Sequence, residues 1–442
     1  MHTILLCGGS GQRLWPLSGS IRSKMFLPLL PAPGGGTESM IGRVCRQLAQ
    51  AGLDESLLFV AHQEQVALTQ RHTGSNYPVI GEPYKRGTFT AAAFGALHLL
   101  AAGKAQPEDI ICIAPADMFA DDDFFRQFLQ FEAILDASQA ELLLLGTRPV
   151  YPSEQYGYIV PAQEDSGALY APVISFAEKP DRARAQELIQ QQALWNCGVF
   201  AFRLGFLQKH LERLELPAGF AALSALYPGL PVRSFDKEVA ERCTKAVTIR
   251  HEGEWSDLGS WDTLTDRLPA QVIGIGGLWG ECGDSYLINE LEVPLHVIGV
   301  SGIVAIAGPE GILIADRMEA HLIKDILMEH SAKEMRYGET GWGSYTVLDR
   351  ESGGAGLVLT IMLTLLPDHH LPEMICPHSA KTWMIVSGHG EVTVNGHTSA
   401  ASAGGSYTVA RGQRHAVSAF SAMKLIEVRM SEAGDDGKVY SC

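Results

Sequence analysis

A chain of 442 residues is longer than one ordinary hydrophobic core serves, so two or three domains are expected. Hydrophobic residues at 46% and charged residues at 19% describe a soluble globular protein. The net charge of −16 excludes a general nucleic-acid binder, which needs a basic face, but leaves room for a local cationic cluster around a nucleotide.

The chain opens TILLCGGSGQRLWPLSGSIRSK over Thr3–Lys24. Ile4–Cys7 is an apolar run of the length of a buried parallel strand. It breaks into Gly8, Gly9, Ser10 and Gly11, whose backbone N–H groups can form a concave site for phosphate oxygens. Arg13 adds a planar fork for phosphate and Lys24 a point charge. The loop is not a Walker A motif, because no Gly-Lys-Ser/Thr follows, nor a dinucleotide fingerprint, because the third glycine of GxGxxG falls on Leu14.

Further along, Leu57–Ala61, Val79–Gly81, Ile110–Ala114 and Leu142–Gly146 read as strands, and Met40–Ala51, Thr88–Ala101 and Phe124–Leu135 as helices. This alternation predicts an α/β, largely parallel, doubly wound sheet with ligands at the carboxyl ends of its strands. Asp117, just past Ile110–Ala114, reads as a helix cap or as a carboxylate for Mg²⁺ beside a polyphosphate. Glu82, Arg86 and Thr88 read as a polar turn capping a helix or as groups facing a nucleotide base. Glu178-Lys179-Pro180 alone reads as a solvated ion pair.

From Gly274 the composition shifts to apolar β-branched runs separated by glycines, and from about Ser331 to alternating runs at Leu357–Leu365, Trp383–Ser387, Glu391–Val394 and Leu425–Val428. The eight cysteines (Cys7, Cys45, Cys112, Cys197, Cys243, Cys282, Cys376, Cys442) include no CxxC pair and suggest no zinc site. They read as reduced thiols. With no membrane-spanning run and no signal-peptide pattern, a cytoplasmic protein without a membrane partner is expected.

Together these segments resemble the mannose-1-phosphate guanylyltransferase (GDP-mannose pyrophosphorylase) family, in the type II phosphomannose isomerase/guanylyltransferase arrangement. The loop resembles GGxGxRLWPLSRxxxPKQF, with Gly19, Ser23 and Met25 in place of its arginine, proline and glutamine. Glu82–Thr88 resembles EPxxRNT, with Gly87 for asparagine, and Pro115–Met118 resembles PADH, with Met118 for histidine. Trp255–Trp261 resembles WxDxGSW, Tyr156–Ile159 resembles YGYI, Phe176–Pro180 resembles FVEKP and Trp195–Phe200 resembles WNSGMF. Asp236 resembles the Asp of SIDYAVME, with a structural and a catalytic role equally open.

The resemblance implies a glycosyltransferase-A-like nucleotidyltransferase domain over 1–270, a short β-rich linking domain over 271–330 and a cupin-like β-barrel over 331–442. It implies a cytoplasmic enzyme of polysaccharide biosynthesis that joins GTP and mannose 1-phosphate into GDP-mannose and pyrophosphate. In that reading Gly8, Gly9, Gly11, Arg13, Glu82, Arg86 and Thr88 bind the nucleotide. Tyr156, Gly157, Glu178, Lys179 and Asn196 bind the sugar phosphate, and Asp117 and Asp257 hold Mg²⁺. Arg13, Lys24, Asp117, Lys179 and Asp257 are the expected catalytic set. A homodimer is one assembly it allows. The alternatives are the same chemistry on another base or sugar, and a non-catalytic nucleotide-sugar sensor.

The barrel departs furthest. Where isomerase-active relatives carry QMHHHRAEHW, this chain has Met374–Trp383, with Lys381 at the glutamate and His378 as the one retained histidine of three. His378, His415 and Cys376 remain as candidate soft-metal ligands. A barrel without isomerase activity is expected.

Overall fold

The computed structural model describes residues 1–442 apart from 10, 20, 163–167, 330–335, 354–355 and 433–442. Ser331, from which the barrel is counted, and Cys442 lie outside the described residues. By their internal contacts the residues form two units. The first comprises 1–10, 23–259 and 266–269, and the second 11–22, 260–265 and 270–442.

The first unit is built on one sheet of nine strands: β1 (His2–Cys7), β2 (Leu57–His62), β3 (Val79–Glu82), β4 (Ile110–Pro115), β5 (Leu142–Thr147), β6 (Gly157–Pro161), β7 (Ala171–Glu178), β8 (Leu194–Arg203) and β9 (Ala246–His251). Their order is β3-β2-β1-β4-β8-β5-β9-β7-β6, and β6 also pairs with β8, closing the last five into a ring. The strands β3, β2, β1 and β4 run parallel, which is the doubly wound part read from the sequence. Beyond them β8 runs antiparallel to both β4 and β5, so the sheet is mixed.

The apolar runs Ile4–Cys7 of β1, Ile110–Pro115 of β4 and Leu142–Leu145 of β5 fit burial on both faces. Met40–Gln50 begins at Ser39, whose hydroxyl accepts from the Gly42 N–H at 3.2 Å. Thr88–Ala101 is buried nearly all round, with Phe89, Ala92, Ala93, Ala96 and Leu97 in the main core. The helix expected over Phe124–Leu135 is instead Asp122–Arg126, a 3-10 turn over Gln127–Gln130, and Phe131–Ser138. Four phenylalanines, Phe124, Phe125, Phe128 and Phe131, pack on one another there at 4.9–5.9 Å between ring centroids, and the tighter turn accommodates them.

In the second unit Val272–Gly274, Tyr286–Asn289 and Ile303–Gly308 pair in parallel, and Gly311–Asp316 closes that sheet antiparallel. Gly276–Trp279 and Leu295–Ile298 form a second parallel pair over a small core of Leu287, Val297 and Ala305. The C-terminal part is a double-sheet β-structure with six strands in one sheet and four in the other. Its core is lined by Leu359, Ile361, Leu363, Leu371, Trp383, Val417 and Leu425.

Candidate functional site

In the first unit β1 and β4 are parallel neighbours, so Gly8 and Gly9 leave β1 at the same end of the sheet at which Asp117 follows β4. Gly9 has a φ of +109°, a conformation that favours glycine. The short strand Trp255–Asp257 pairs antiparallel with Met118–Ala120 and sets Asp257 opposite Met118, beside Asp117. Asp121 secures this pairing by accepting from the Glu254 N–H at 2.7 Å while capping the next helix at the Phe124 N–H.

Lys24, in a buried 3-10 turn, completes the arrangement. Its Nζ lies 3.1 Å from Asp117 Oδ2 and 2.6 Å from Asp257 Oδ1. Burial opposes the Lys24 charge, but the two carboxylates outweigh it and raise its pKa. Burial pushes the Asp117 carboxyl up, with Lys24 pulling it back. Two carboxylates against one ammonium leave one negative charge uncompensated. Oxygen donors converging in this way, with substrate phosphates to complete the shell, suit Mg²⁺, and the residues present fit that ion.

A cleft of about 200 Å³ runs from this trio past Gln155, Tyr156, Gly157, Glu178, Lys179, Asn196, Asp236 and Trp255. Asn196 owes its orientation to a β-bulge in β8, where the register shifts between Asn196 and Val199 and Gly198 takes a φ of +73°. Its side-chain oxygen accepts from the Gly198 N–H at 3.1 Å and its amide donates to Asp236 Oδ1 at 2.8 Å. Gly157 is glycine for a local reason: a Cβ there would stand 2.8 Å from Glu178 Oε2. Glu178 is buried and pairs at 2.7 Å with the exposed Lys179, which sits at a φ of +49° at the end of β7. Tyr156 is held edge-on between Trp195 and Trp255 at 4.8 and 5.6 Å.

Eight expected residues therefore meet in one cleft: Lys24, Asp117, Tyr156, Gly157, Glu178, Lys179, Asn196 and Asp257. Glu82, Arg86 and Thr88 are not among its lining residues. Glu82 accepts from the Tyr227 hydroxyl at 2.7 Å, Arg86 donates to the carbonyls of Tyr227 and Pro228, and Thr88 Oγ1 accepts from the Phe235 N–H at 2.9 Å. These side chains brace the 227–235 segment, and Gly87 has no room for a Cβ against the Arg233 carbonyl. Gly11 and Arg13 belong by their contacts to the second unit. So does Arg22, whose guanidinium grips Glu290 at 2.7 and 2.9 Å and Glu339 at 2.9 Å.

Sequence reading left Asp236 undecided and missed Trp255 as a cleft wall; the tryptophan had a signal, since it opens the WxDxGSW string. Burial, and then the nearby Glu178 carboxylate, push the Asp236 carboxyl up to about 6. The folded state then binds a proton that the unfolded state has released, so stability falls as pH rises from about 4 to 6. Asp236→Asn is expected to flatten that fall and to stabilise the protein by about 1–2 kcal/mol at pH 7.5. Chemical denaturation of both proteins at pH 4.5 and 7.5 checks this, and an equal gain at both pH values refutes it.

In the barrel, Cys376 is disulfide-bonded rather than a free thiol, and His378 is exposed while His415 is buried. Among the described residues no cluster of three or more His, Cys, Asp or Glu side chains could hold a metal. The soft-metal set His378, His415 and Cys376 is thus not assembled. Cys7, Cys45, Cys112, Cys197, Cys243 and Cys282 are free, and burial pushes the Cys45 thiol up to about 12. Among the described residues no helix is long and apolar enough to cross a membrane.

Comparison with known proteins bears on the family. Residues 2–271 match the nucleotidyl transferase family, and residues 328–439 match the mannose-6-phosphate isomerase C-terminal family. The alginate biosynthesis protein AlgA of Pseudomonas aeruginosa is 30% identical over 90% of this chain and 86% of its own. A mannose-1-phosphate guanylyltransferase of Escherichia coli is 28% identical over 90% and 87%. A crystal structure described as mannose-1-phosphate geranyltransferase from Thermus thermophilus superposes with a TM-score of 0.61 at 26% identity, covering 75% of this chain and 99% of that one. With the Lys24–Asp117–Asp257 trio inside the matched region and relatives that align along nearly its whole length, the chain belongs to the nucleotidyl transferase family, as a mannose-1-phosphate guanylyltransferase-like enzyme with a cupin-like C-terminal domain.

Proposed function

We propose that this enzyme transfers the guanylyl group of GTP to mannose 1-phosphate, releasing pyrophosphate and forming GDP-mannose. The observation that carries the reading is the cleft in which Lys24, Asp117 and Asp257 meet Glu178, Lys179 and Asn196. One end offers a cation site of the kind that holds a polyphosphate. The other offers a carboxylate and an amide for sugar hydroxyls, and an ammonium for a phosphate. The name of the Escherichia coli relative favours guanine and mannose. The three-part division at 270 and 330 goes with this reading.

A phosphate oxygen of the sugar 1-phosphate attacks the α-phosphorus in line, forming a new P–O bond as the bond to pyrophosphate breaks. A phosphate monoester is largely ionised at pH 7, so no residue has to remove a proton. Lys179, at the exposed end of its pair with Glu178, holds the attacking phosphate. Glu178 and Asn196 fix the sugar ring, converting an encounter into an aligned approach. Gly8 and Gly9, past the end of β1, cradle the triphosphate. Glu82, Arg86 and Thr88 shape the wall beside the base through the 227–235 segment they brace. Asp117 and Asp257 would hold Mg²⁺, which when bound supplies charge neutralisation between the reacting phosphates. Lys24 bridges the two carboxylates and holds them on one side of the cleft. A barrel without isomerase activity fits the unassembled metal set. A cytoplasmic setting fits the nucleoside triphosphate consumed and the six free cysteines, while the Cys376 disulfide is more usual outside it.

Pyrophosphate release with Mg²⁺, each nucleoside triphosphate and a panel of sugar 1-phosphates tests the reading. Turnover confined to GTP and mannose 1-phosphate is the expected result. Turnover with another pair keeps the transfer chemistry and replaces the substrates, and no turnover with any pair overturns the reading.

A further inference from the structure

The C-terminal barrel contains a polar layer that the transfer reaction does not use. The paired strands Ser379–Ser387 and Met423–Ser431 turn alternate residues inward. At one end these are Ile385, Met423 and Leu425; at the other they are Ser379, Lys381, Glu427, Arg429 and Ser431. Lys381 and Glu427 are 0% exposed, His415 1% and Arg429 3%. His415 comes from Arg414–Ala419 in the facing sheet and meets Trp383 edge-on at 5.4 Å.

The bonding in this layer is lopsided. The Glu427 carboxylate accepts from Trp383 Nε1 at 2.8 Å and Arg429 Nε at 2.9 Å, and lies 2.7 Å from Arg429 Nη2. Lys381 Nζ stands back at 3.9 Å from Glu427 Oε2. His415 Nδ1 lies 2.8 Å from the Gln413 carbonyl; donating to it leaves Nε2 as a bare acceptor in the neutral ring. Burial favours that neutral ring. Lys381 Nζ, His415 Nε2 and Ser431 Oγ have no hydrogen-bond partner among the described residues, although all three are buried. Three buried polar atoms without partners, one of them an ammonium held back from the nearest carboxylate, are costly unless something completes the layer. A metal cation does not fit, because the buried Lys381 ammonium would repel it.

We propose that this layer binds a small oxyanion that also carries a hydroxyl, such as a hydroxycarboxylate or hydrogen phosphate. The anionic oxygen accepts from Lys381 Nζ, the hydroxyl donates to His415 Nε2, and Ser431 Oγ serves either. A plain carboxylate satisfies the lysine and leaves the histidine bare. The inference does not rest on the proposed transfer reaction.

Thermal unfolding of the full chain at fixed ionic strength, titrated with glycolate, acetate or inorganic phosphate, tests it. Glycolate or phosphate is expected to raise Tm saturably, with acetate roughly tenfold weaker than glycolate. Lys381→Met should abolish the glycolate response while pyrophosphate-releasing activity persists, which separates this site from anion binding in the catalytic cleft. Glu427→Gln, with one more net positive charge, should tighten binding. If Lys381→Met does not fold, Ser431→Ala replaces it, with a weakened glycolate response expected. A flat wild-type titration, or the same response in Lys381→Met, overturns the site. Acetate equal to glycolate overturns the hydroxyl requirement.

Discussion

Asp117→Asn is expected to lower kcat for pyrophosphate release by about 10²–10³-fold in a protein that remains folded. The substitution removes one of the two carboxylates on Lys24 and halves the charged oxygen set available to a divalent cation. The fold should tolerate it. Burial disfavours the Asp117 carboxylate, so a neutral amide relieves a desolvation cost while Lys24 keeps Asp257 as a partner. The two effects oppose, and the net stability change should stay within about 1 kcal/mol. Steady-state kinetics with saturating substrates, beside the melting temperature, checks both halves. Turnover near that of the parent removes Asp117 from the reaction, whereas equal losses of activity and of fold make it structural.

The cleft was legible because its chemistry sits in short strings whose order is restrictive. Tyr156–Ile159, Phe176–Pro180 and Trp195–Phe200 each set an aromatic residue near a glycine or a polar side chain, and the sheet brings Gly157, Glu178 and Asn196 within contact of one another. The strings did not reveal why each glycine is there. Gly157 gives room to the Glu178 carboxylate, and Gly198 forms the bulge that aims Asn196. Both reasons arise from strand pairing, which no single string contains. The parallel strands were legible from their apolar runs. The antiparallel entry of Leu194–Arg203 between Ile110–Pro115 and Leu142–Thr147 was not, because a strand buried on both faces reads the same in either direction.

Lys381 shows the limit of local reading most sharply. A lysine in an alternating run is ordinarily a solvated residue, and its place in the degraded metal motif suggested only the loss of a ligand. In the folded chain it is fully buried, and its neighbours Glu427 and Arg429 come from a strand far along the sequence. The segment 11–22 is similar. Gly11 and Arg13 read as one phosphate loop with Gly8 and Gly9, but the segment's own contacts, through Trp15 with Trp261 and Arg22 with Glu290 and Glu339, lie in the second unit.

Lys24→Met gives the other large effect, and its sign depends on what accompanies the protein. Lys24 is the cation that lets Asp117 and Asp257 face one another. With an apolar side chain of similar length, both carboxylates are left to repel across the cleft. Breaking a well-formed buried pair costs about 3–5 kcal/mol, and partial exposure of Asp257 reduces that here to about 1–3 kcal/mol. Without divalent cations the variant should therefore melt several degrees lower. Mg²⁺ should then stabilise the variant more than the parent, because it replaces the missing charge without competing against an ammonium. Catalysis should not return, since Mg²⁺ does not restore the fixed cation that orients both carboxylates before substrate arrives. Melting temperatures of both proteins over a Mg²⁺ titration, beside pyrophosphate release, separate these effects. Equal Mg²⁺ responses in the two proteins would place the cation away from Asp117 and Asp257, and a variant with parental activity would reduce Lys24 to a structural counter-ion.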